Sequence, residues 1–374
     1  MDLTKRTIDK LFTEADIRIN GNRPWDIRIH NENFYDSVLI GGSLAFGETY
    51  MAGWWDSDKL DELVARLFSN KITEKVRLTS ADILLFIRAT FGNPWRKKNA
   101  FKVGRRHYDL GNDLFKRMLD KRMIYTCGYW NGNPPAGGLD EAQEAKFDLV
   151  CRKLNLKVGQ EILDIGCGWG SFAKFAAETY GVRVVGITIS KEQVKMGREL
   201  CEGLPVEFRL EDYRDTKGTF DHIVSLGMFE HVGYKNYRTY MKVAHDHLKD
   251  DGLFLLHTIG GTVSKIHTDP WINKYIFPAG MIPSIAQIGK AIEGIFVMED
   301  WHSFGADYDK TLMAWFENFD RNWGEISAKY GETFYRMWKF YLLSCAGSFR
   351  ARNNQLWQIV LSKEGIHGGY HSIR

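Results

Sequence analysis

Glu161-Ile-Leu-Asp-Ile-Gly-Cys-Gly-Trp-Gly170 is the stretch on which the fold turns. A short apolar run ends in glycines and passes straight into Ser171–Tyr180, which has helical spacing. Strand, glycine turn and helix in that order bring bare backbone against a ligand where an open sheet reverses its strand order. The spacing is G-x-G-x-G behind Asp164, and dinucleotide binders use G-x-G-x-x-G. A diphosphate needs helix N–H groups aimed at it. A cofactor with an amine and a carboxylate is served instead by strand-end carbonyls and an acid such as Asp164, and S-adenosylmethionine is such a cofactor.

Outward from that turn the same rhythm continues. Strands are expected at Arg183–Ile187, Val206–Leu210, His222–Leu226 and Gly252–His257, with helices at Lys191–Cys201 and Lys235–Leu248 between them. Such alternation predicts an α/β fold: a doubly wound, mostly parallel, Rossmann-like sheet of the class I methyltransferase kind. The second strand runs into Gly186-Ile-Thr-Ile-Ser190 with Gln193 one turn on, so hydroxyl and amide groups stand where an acid commonly holds the ribose. After the third, Asp212 is placed to bond an adenine amine and Tyr213 to stack on the ring.

Upstream, residues 1–92 are mainly helical in pattern, with a strand at Asp26–His30 and apolar-periodic stretches at Lys59–Leu67 and Ala81–Phe91, the latter with Ser80 as its expected N-cap. Gly41–Trp55 carries four glycines among Phe46, Tyr50, Met51, Trp54 and Trp55. A basic linker follows at 93–107, where Arg96, Lys97, Lys98, Lys102, Arg105 and Arg106 meet no acid. Residues 108–374 are expected to form the cofactor domain, with a Pro- and aromatic-rich insertion around 260–295, a strand at Phe296–His302 and long helices through Asp309–Leu343.

Composition narrows the function. The 374 residues are 44% apolar, 26% charged and contain only 8 Pro, which is a folded chain. A net charge of +3 does not suit a main partner that is a nucleic acid. Five scattered cysteines without C-x-x-C spacing argue for reduced thiols and against a zinc site. No secretory signal or membrane-spanning run is visible, so a cytoplasmic protein touching the inner face of a membrane from outside the bilayer is expected.

Seven motifs in order then resemble one family, the cyclopropane-fatty-acyl-phospholipid and mycolic acid cyclopropane synthases. They are His107-Tyr-Asp-Leu-Gly-Asn-Asp-Leu-Phe115, Tyr125-Thr-Cys-Gly-Tyr-Trp130, Leu163-Asp-Ile-Gly-Cys-Gly-Trp-Gly170, Gly227-Met-Phe-Glu-His-Val-Gly233, Leu255-Leu-His-Thr-Ile-Gly260, Asp269-Pro-Trp-Ile-Asn-Lys-Tyr-Ile-Phe-Pro278 and Phe304-Gly-Ala-Asp-Tyr-Asp309. The resemblance implies methyl transfer from S-adenosylmethionine to a cis double bond of a phospholipid acyl chain, then ring closure by proton loss. It implies a cofactor shell of Tyr125, Thr126, Gly166, Gly168, Thr188, Ile189, Gln193 and Tyr213. It also implies a bicarbonate ion, acting as base, held at Cys127, Glu230, His257, Ile259 and Tyr308. Cys345 matches a C-terminal cysteine of some members and ranks below that group, because a free cysteine is usually a small buried hydrophobe. Peripheral membrane association and a homodimer are the partners so implied.

The residues taken alone leave plainer readings beside these. His257 ends an apolar strand and reads as a satisfied core histidine, His231 next to Glu230 is an equal claimant, and Cys127 reads as core. Two other functions compete: a small-molecule N-methyltransferase, which needs neither a base nor the first domain, and a silent lipid-binding protein that keeps the fold. Aromatic faces at Tyr125, Tyr129, Trp130, Trp169, Phe229 and Tyr308 suit a carbocation, and a dry site is required because water would quench it.

Overall fold

The computed structural model describes residues 3–75, 79–93, 95–97, 111–131 and 137–374. Most of the basic linker (98–107), the start of the motif at His107 and the loop at 132–136 lie outside them. The chain divides into two compact units. One joins Met1–Asn93 with Ile266–Pro278 and Tyr308–Asn354; the other comprises Pro94–Lys265, Ala279–Asp307 and Gln355–Arg374.

The second unit is built on a seven-stranded sheet. Its members are β3 (Glu161–Ile165), β4 (Arg183–Thr188), β5 (Val206–Leu210), β6 (Phe220–Leu226), β7 (Leu248–Gly261), β8 (Val297–Ser303) and β9 (Asn354–Ser362), with β1 (Arg28–Ile29) and β2 (Trp55–Asp56) belonging to the first unit. The order β5-β4-β3-β6-β7-β9-β8 reverses between β3 and β6, and the pairings from β5 through β7 are parallel. β8 and β9 are antiparallel to each other. The expected strands fall within one or two residues of these, except that β7 is longer at both ends and β9 was not foreseen. Amphipathic helices cover the sheet: Phe147 and Val150 of Leu139–Lys153 and its C-cap Leu154, with Phe172, Ala173 and Ala176 of Ser171–Tyr180, pack on Ile162, Val184, Val224 and Leu255. Each large side chain so buried stabilises the fold by about 1.5–3 kcal/mol.

The first unit is helical. Its helix Glu332–Arg350 buries Trp338, Phe340, Leu342 and Leu343 and packs on the helices Phe34–Met51 and Leu60–Ser69. Residues 266–278 and 308–354, expected inside one continuous cofactor domain, therefore group with the N-terminal segment. Local periodicity marks an apolar helix face but does not say what covers it, which is why the sequence missed this. One further expectation is corrected. The cap of Ser80–Phe91 is Thr79: its hydroxyl accepts from Asp82 N at 3.2 Å while the Asp82 carboxylate accepts from Thr79 N at 2.9 Å. The spacing Thr79-x-x-Asp82 carries that capping box in plain view. The Gly41–Trp55 stretch is mostly helix, broken at Gly42, with Tyr50 and Trp55 buried and Phe46 and Trp54 half-buried. Trp55 is fully buried, stacked on Phe46 at 4.4 Å and near Tyr50 at 4.9 Å.

Candidate active site

The turn after β3 takes the shape its glycines allow. Gly166 and Gly168 have φ of 84° and 55°, values an L side chain rarely adopts. A Cβ on Gly166 would strike Met228 at 2.6 Å, whereas one on Gly168 would meet nothing within 4 Å. Backbone is thus exposed beside open room, as a closely bound cofactor requires. Asp164 is buried beneath this turn, and burial raises its carboxyl pKa strongly, the nearby Lys146 ammonium opposing the rise.

Around that turn the other expected cofactor groups divide. The Thr188 hydroxyl donates to Gln193 Oε1 at 2.6 Å, and Ser190 caps the helix Lys191–Leu200, so β4 ends in a neutral polar pair. Asp212 is engaged already: its carboxylate forks onto Arg214 Nε at 2.7 Å and Nη2 at 2.8 Å. Tyr213 has Arg214 over its ring at 5.0 Å and a buried hydroxyl without a partner. Thr126 is held twice, its hydroxyl by Lys146 Nζ and its carbonyl by Gln143 Nε2, both at 2.8 Å. Tyr125 meets Phe115 edge-on at 5.2 Å, and Ile189 follows β4 directly.

At the carboxyl ends of β6 and β7 a second constellation forms. β6 leads through Gly227 into a short turn, Phe229–His231, whose Glu230 carbonyl accepts from Met281 N at 2.8 Å. Phe229 is fully buried and stacked on Tyr237 at 4.3 Å. Glu230 Oε1 accepts from Ile259 N at 2.7 Å; Oε2 is buried with no partner. The residue's stem keeps some exposure, but its carboxyl end is enclosed, and burial pushes it up to about 7. Ile259, expected to donate to an anion, here spends its N–H on Glu230.

His257 lies on β7, 1% exposed, and burial holds it neutral, with Lys146 and Lys153 adding to that effect. Gln358 on β9 approaches its Nδ1 with Nε2 at 3.4 Å. An amide N–H donating there leaves the ring proton on Nε2, which is buried and unpartnered. His231, the other claimant, is also kept neutral by burial, at about 4. Cys127 is fully buried with Sγ 3.1 Å from Gly128 O. β9 and Gln358 carried no sequence signal; a polar residue inside the apolar run Leu356–Leu361 was the only available clue.

Two expected site residues fall in the other unit. Tyr308 is packed on Phe349 at 4.5 Å. Cys345 lies on the helix Glu332–Arg350, and burial pushes its thiol up to about 12, so it stays protonated and is a poor base or nucleophile.

With this geometry in hand, the comparisons with known proteins are direct. Residues 95–359 match the family model described as mycolic acid cyclopropane synthetase. The chain belongs to this family. It is 52% identical over 99% of its length, and 96% of the relative's, to the cyclopropane-fatty-acyl-phospholipid synthase of Escherichia coli strain K12. Among solved structures it resembles the cyclopropane synthase MmaA2 of Mycobacterium tuberculosis (32% identity, 70% of this chain and 98% of that one, TM-score 0.66). It also resembles the mycolic acid cyclopropane synthase CmaA1 complexed with SAH and CTAB (33% identity, 70% and 98%, TM-score 0.65). The chain is therefore an S-adenosylmethionine-dependent methyltransferase, an enzyme with the fold its sequence predicted.

Proposed function

We propose that the enzyme converts the cis double bond of an unsaturated phospholipid acyl chain into a cyclopropane ring, with a bound bicarbonate as base. The match along 99% of the chain to a protein named for that reaction carries the reading. The base is supported by two buried polar atoms without a partner among the described residues, an acceptor at Glu230 Oε2 and a donor at His257 Nε2.

When bound, S-adenosylmethionine supplies an electrophilic methyl and bicarbonate a proton acceptor. The chain's own groups do the rest. The glycine turn and Thr126 hold the methyl donor in line, since an alkene is a weak nucleophile and alignment supplies much of the rate. Tyr129, edge-on to His302 at 5.7 Å and Phe304 at 5.3 Å, contributes to an aromatic wall that excludes water from the carbocation. The new C–C bond leaves a cation on the neighbouring carbon; the added methyl loses one proton, and that C–H pair closes the ring. The acyl chain gains one CH₂, and the sulfonium leaves as a thioether. His257 donates to the oxyanion, and Glu230, whose ionisation burial opposes, orients the hydroxyl of the base without presenting a second bare charge.

No described helix is long and apolar enough to cross a membrane. The helix Ser80–Phe91 nevertheless shows Ile83, Leu84, Phe86 and Ile87 to solvent at 47–66% exposure, with Arg88 exposed on the same helix. An apolar face beside a basic residue suits an anionic bilayer surface, the base adding about 1 kcal/mol. We read this helix as the docking element and the segment after residue 268 as the acyl contact. The test is incubation with methyl-labelled S-adenosylmethionine and vesicles of unsaturated phosphatidylethanolamine and phosphatidylglycerol. Acyl products heavier by one CH₂ and lacking the double bond are expected; a methyl branch or no lipid product sinks the reading.

A further inference from the structure

Lys146 is a fully buried lysine that the reaction as described leaves without a task. It sits on the helix Leu139–Lys153, whose Gln143 precedes it by three residues and shares its face. Its ammonium lies 4.2 Å from the Phe147 ring centre and 2.8 Å from the Thr126 hydroxyl, and among the described residues no carboxylate stands within ion-pair distance. Gln143 holds the Thr126 carbonyl, leaving its own Oε1 buried and unpartnered, and Ala142 O accepts from Tyr129 N at 2.8 Å. One helix face thus grips the segment 126–129 at three points. Removing an ammonium from water without a counter-ion costs several kcal/mol. A buried methionine would fill the same volume without that cost, so packing does not account for the residue.

The grip on Thr126 does. Burial pushes the Lys146 ammonium down to about 7, Asp120, Cys127 and Asp164 opposing that fall, and its charge acts in turn on His257 of β7. Asp120 is committed to the backbone of Ile124 at 2.7 Å and Arg122 at 2.9 Å. We propose that Lys146 is a positioning residue for the reaction: by its 2.8 Å hydrogen bond it fixes the Thr126 hydroxyl in the cofactor wall, while Gln143 and Ala142 of the same helix hold the backbone of 126–129. The assignment deepens the functional reading and rests on its placing of Thr126 at the cofactor.

The experiment is calorimetric binding of SAH to the full chain at pH 7, for the parent, Lys146→Met and Lys146→Arg. Lys146→Met leaves the Thr126 hydroxyl without its donor and should bind SAH about tenfold more weakly, and Lys146→Arg should recover most of the loss. A folded Lys146→Met with SAH affinity within twofold of the parent overturns the proposal. If Lys146→Met does not fold, Thr126→Ser and Thr126→Val decide it: Ser should bind as the parent does and Val more weakly, while equal affinities overturn the assignment. A parent that binds SAH but leaves phospholipid unchanged would sink the lipid reading alone, because this readout requires no turnover.

Discussion

The two units differ in the buried polar groups they leave unpartnered. In the helical unit the buried carboxylates are forked onto arginines: Asp26 onto Arg23, and Asp61 with Asp309 onto Arg350. Its unpartnered buried atoms include neutral ones, the Tyr35 hydroxyl and the Trp271 indole. In the sheet unit Asp212 and Asp300 are likewise forked onto Arg214 and Arg374, but a carboxylate oxygen of Glu230 and an imidazole nitrogen of His257 meet no partner among the described residues, and Lys146 is buried with no described carboxylate in ion-pair range. A folded core tolerates such groups poorly unless something else engages them. The contrast separates polarity kept for stability from polarity kept for a ligand.

Breaking the open side should cost catalysis and little else. Glu230→Gln is expected to lower turnover at least about 100-fold in the labelled-lipid assay. Its SAH affinity by calorimetry should stay within about threefold, and near-normal turnover would remove Glu230 from the mechanism. Breaking the closed side should cost stability. Asp61→Ala removes one of the two carboxylates forked onto Arg350, which keeps Asp309, and should destabilise the chain by about 1 kcal/mol in urea, less than a fully buried pair because Arg350 retains a third of its surface. If the two variants exchanged phenotypes, the contrast would fail.

A pH series sharpens it. The folded-state carboxyl of Glu230, raised from 4.5 to about 7, keeps its proton where the unfolded chain has lost it. Its stabilising contribution is thus complete below pH 4.5 and disappears as pH rises through 7. Glu230→Gln should accordingly gain on the parent by about 2 kcal/mol between pH 5.5 and 8 in urea titrations. A constant difference would mean the carboxyl is not held protonated. The smallest effect on the fold belongs to Leu84→Glu, on the exposed face of Ser80–Phe91. Stability should move by less than about 0.5 kcal/mol, while co-sedimentation with anionic vesicles falls; unchanged sedimentation would refute docking by that helix.

The parallel sheet, the glycine turn and the polar end of β4 were legible because each is written in consecutive residues. Strand period, glycine at a positive φ and a hydroxyl at a strand end are local facts. Thr79 as a cap was equally local, and an acid three residues on would have chosen it over Ser80. Gln358 was not legible, since it reaches His257 across 101 residues of chain. Nor was the burial of Tyr50 and Trp55, aromatics that suit a core as well as a membrane surface.

By itself, then, the order of residues determined the α/β architecture, the cofactor class and the identity of Glu230 and His257 as groups at the strand ends. Only the tertiary structure decided which polar atoms are satisfied and which are left open. It also decided that Ile259 serves Glu230, that Asp212 is occupied by Arg214, and that Lys146 holds the Thr126 hydroxyl. Hydrogen bonding and desolvation depend on what the rest of the chain brings within about 3 Å of a group, and that information is not local.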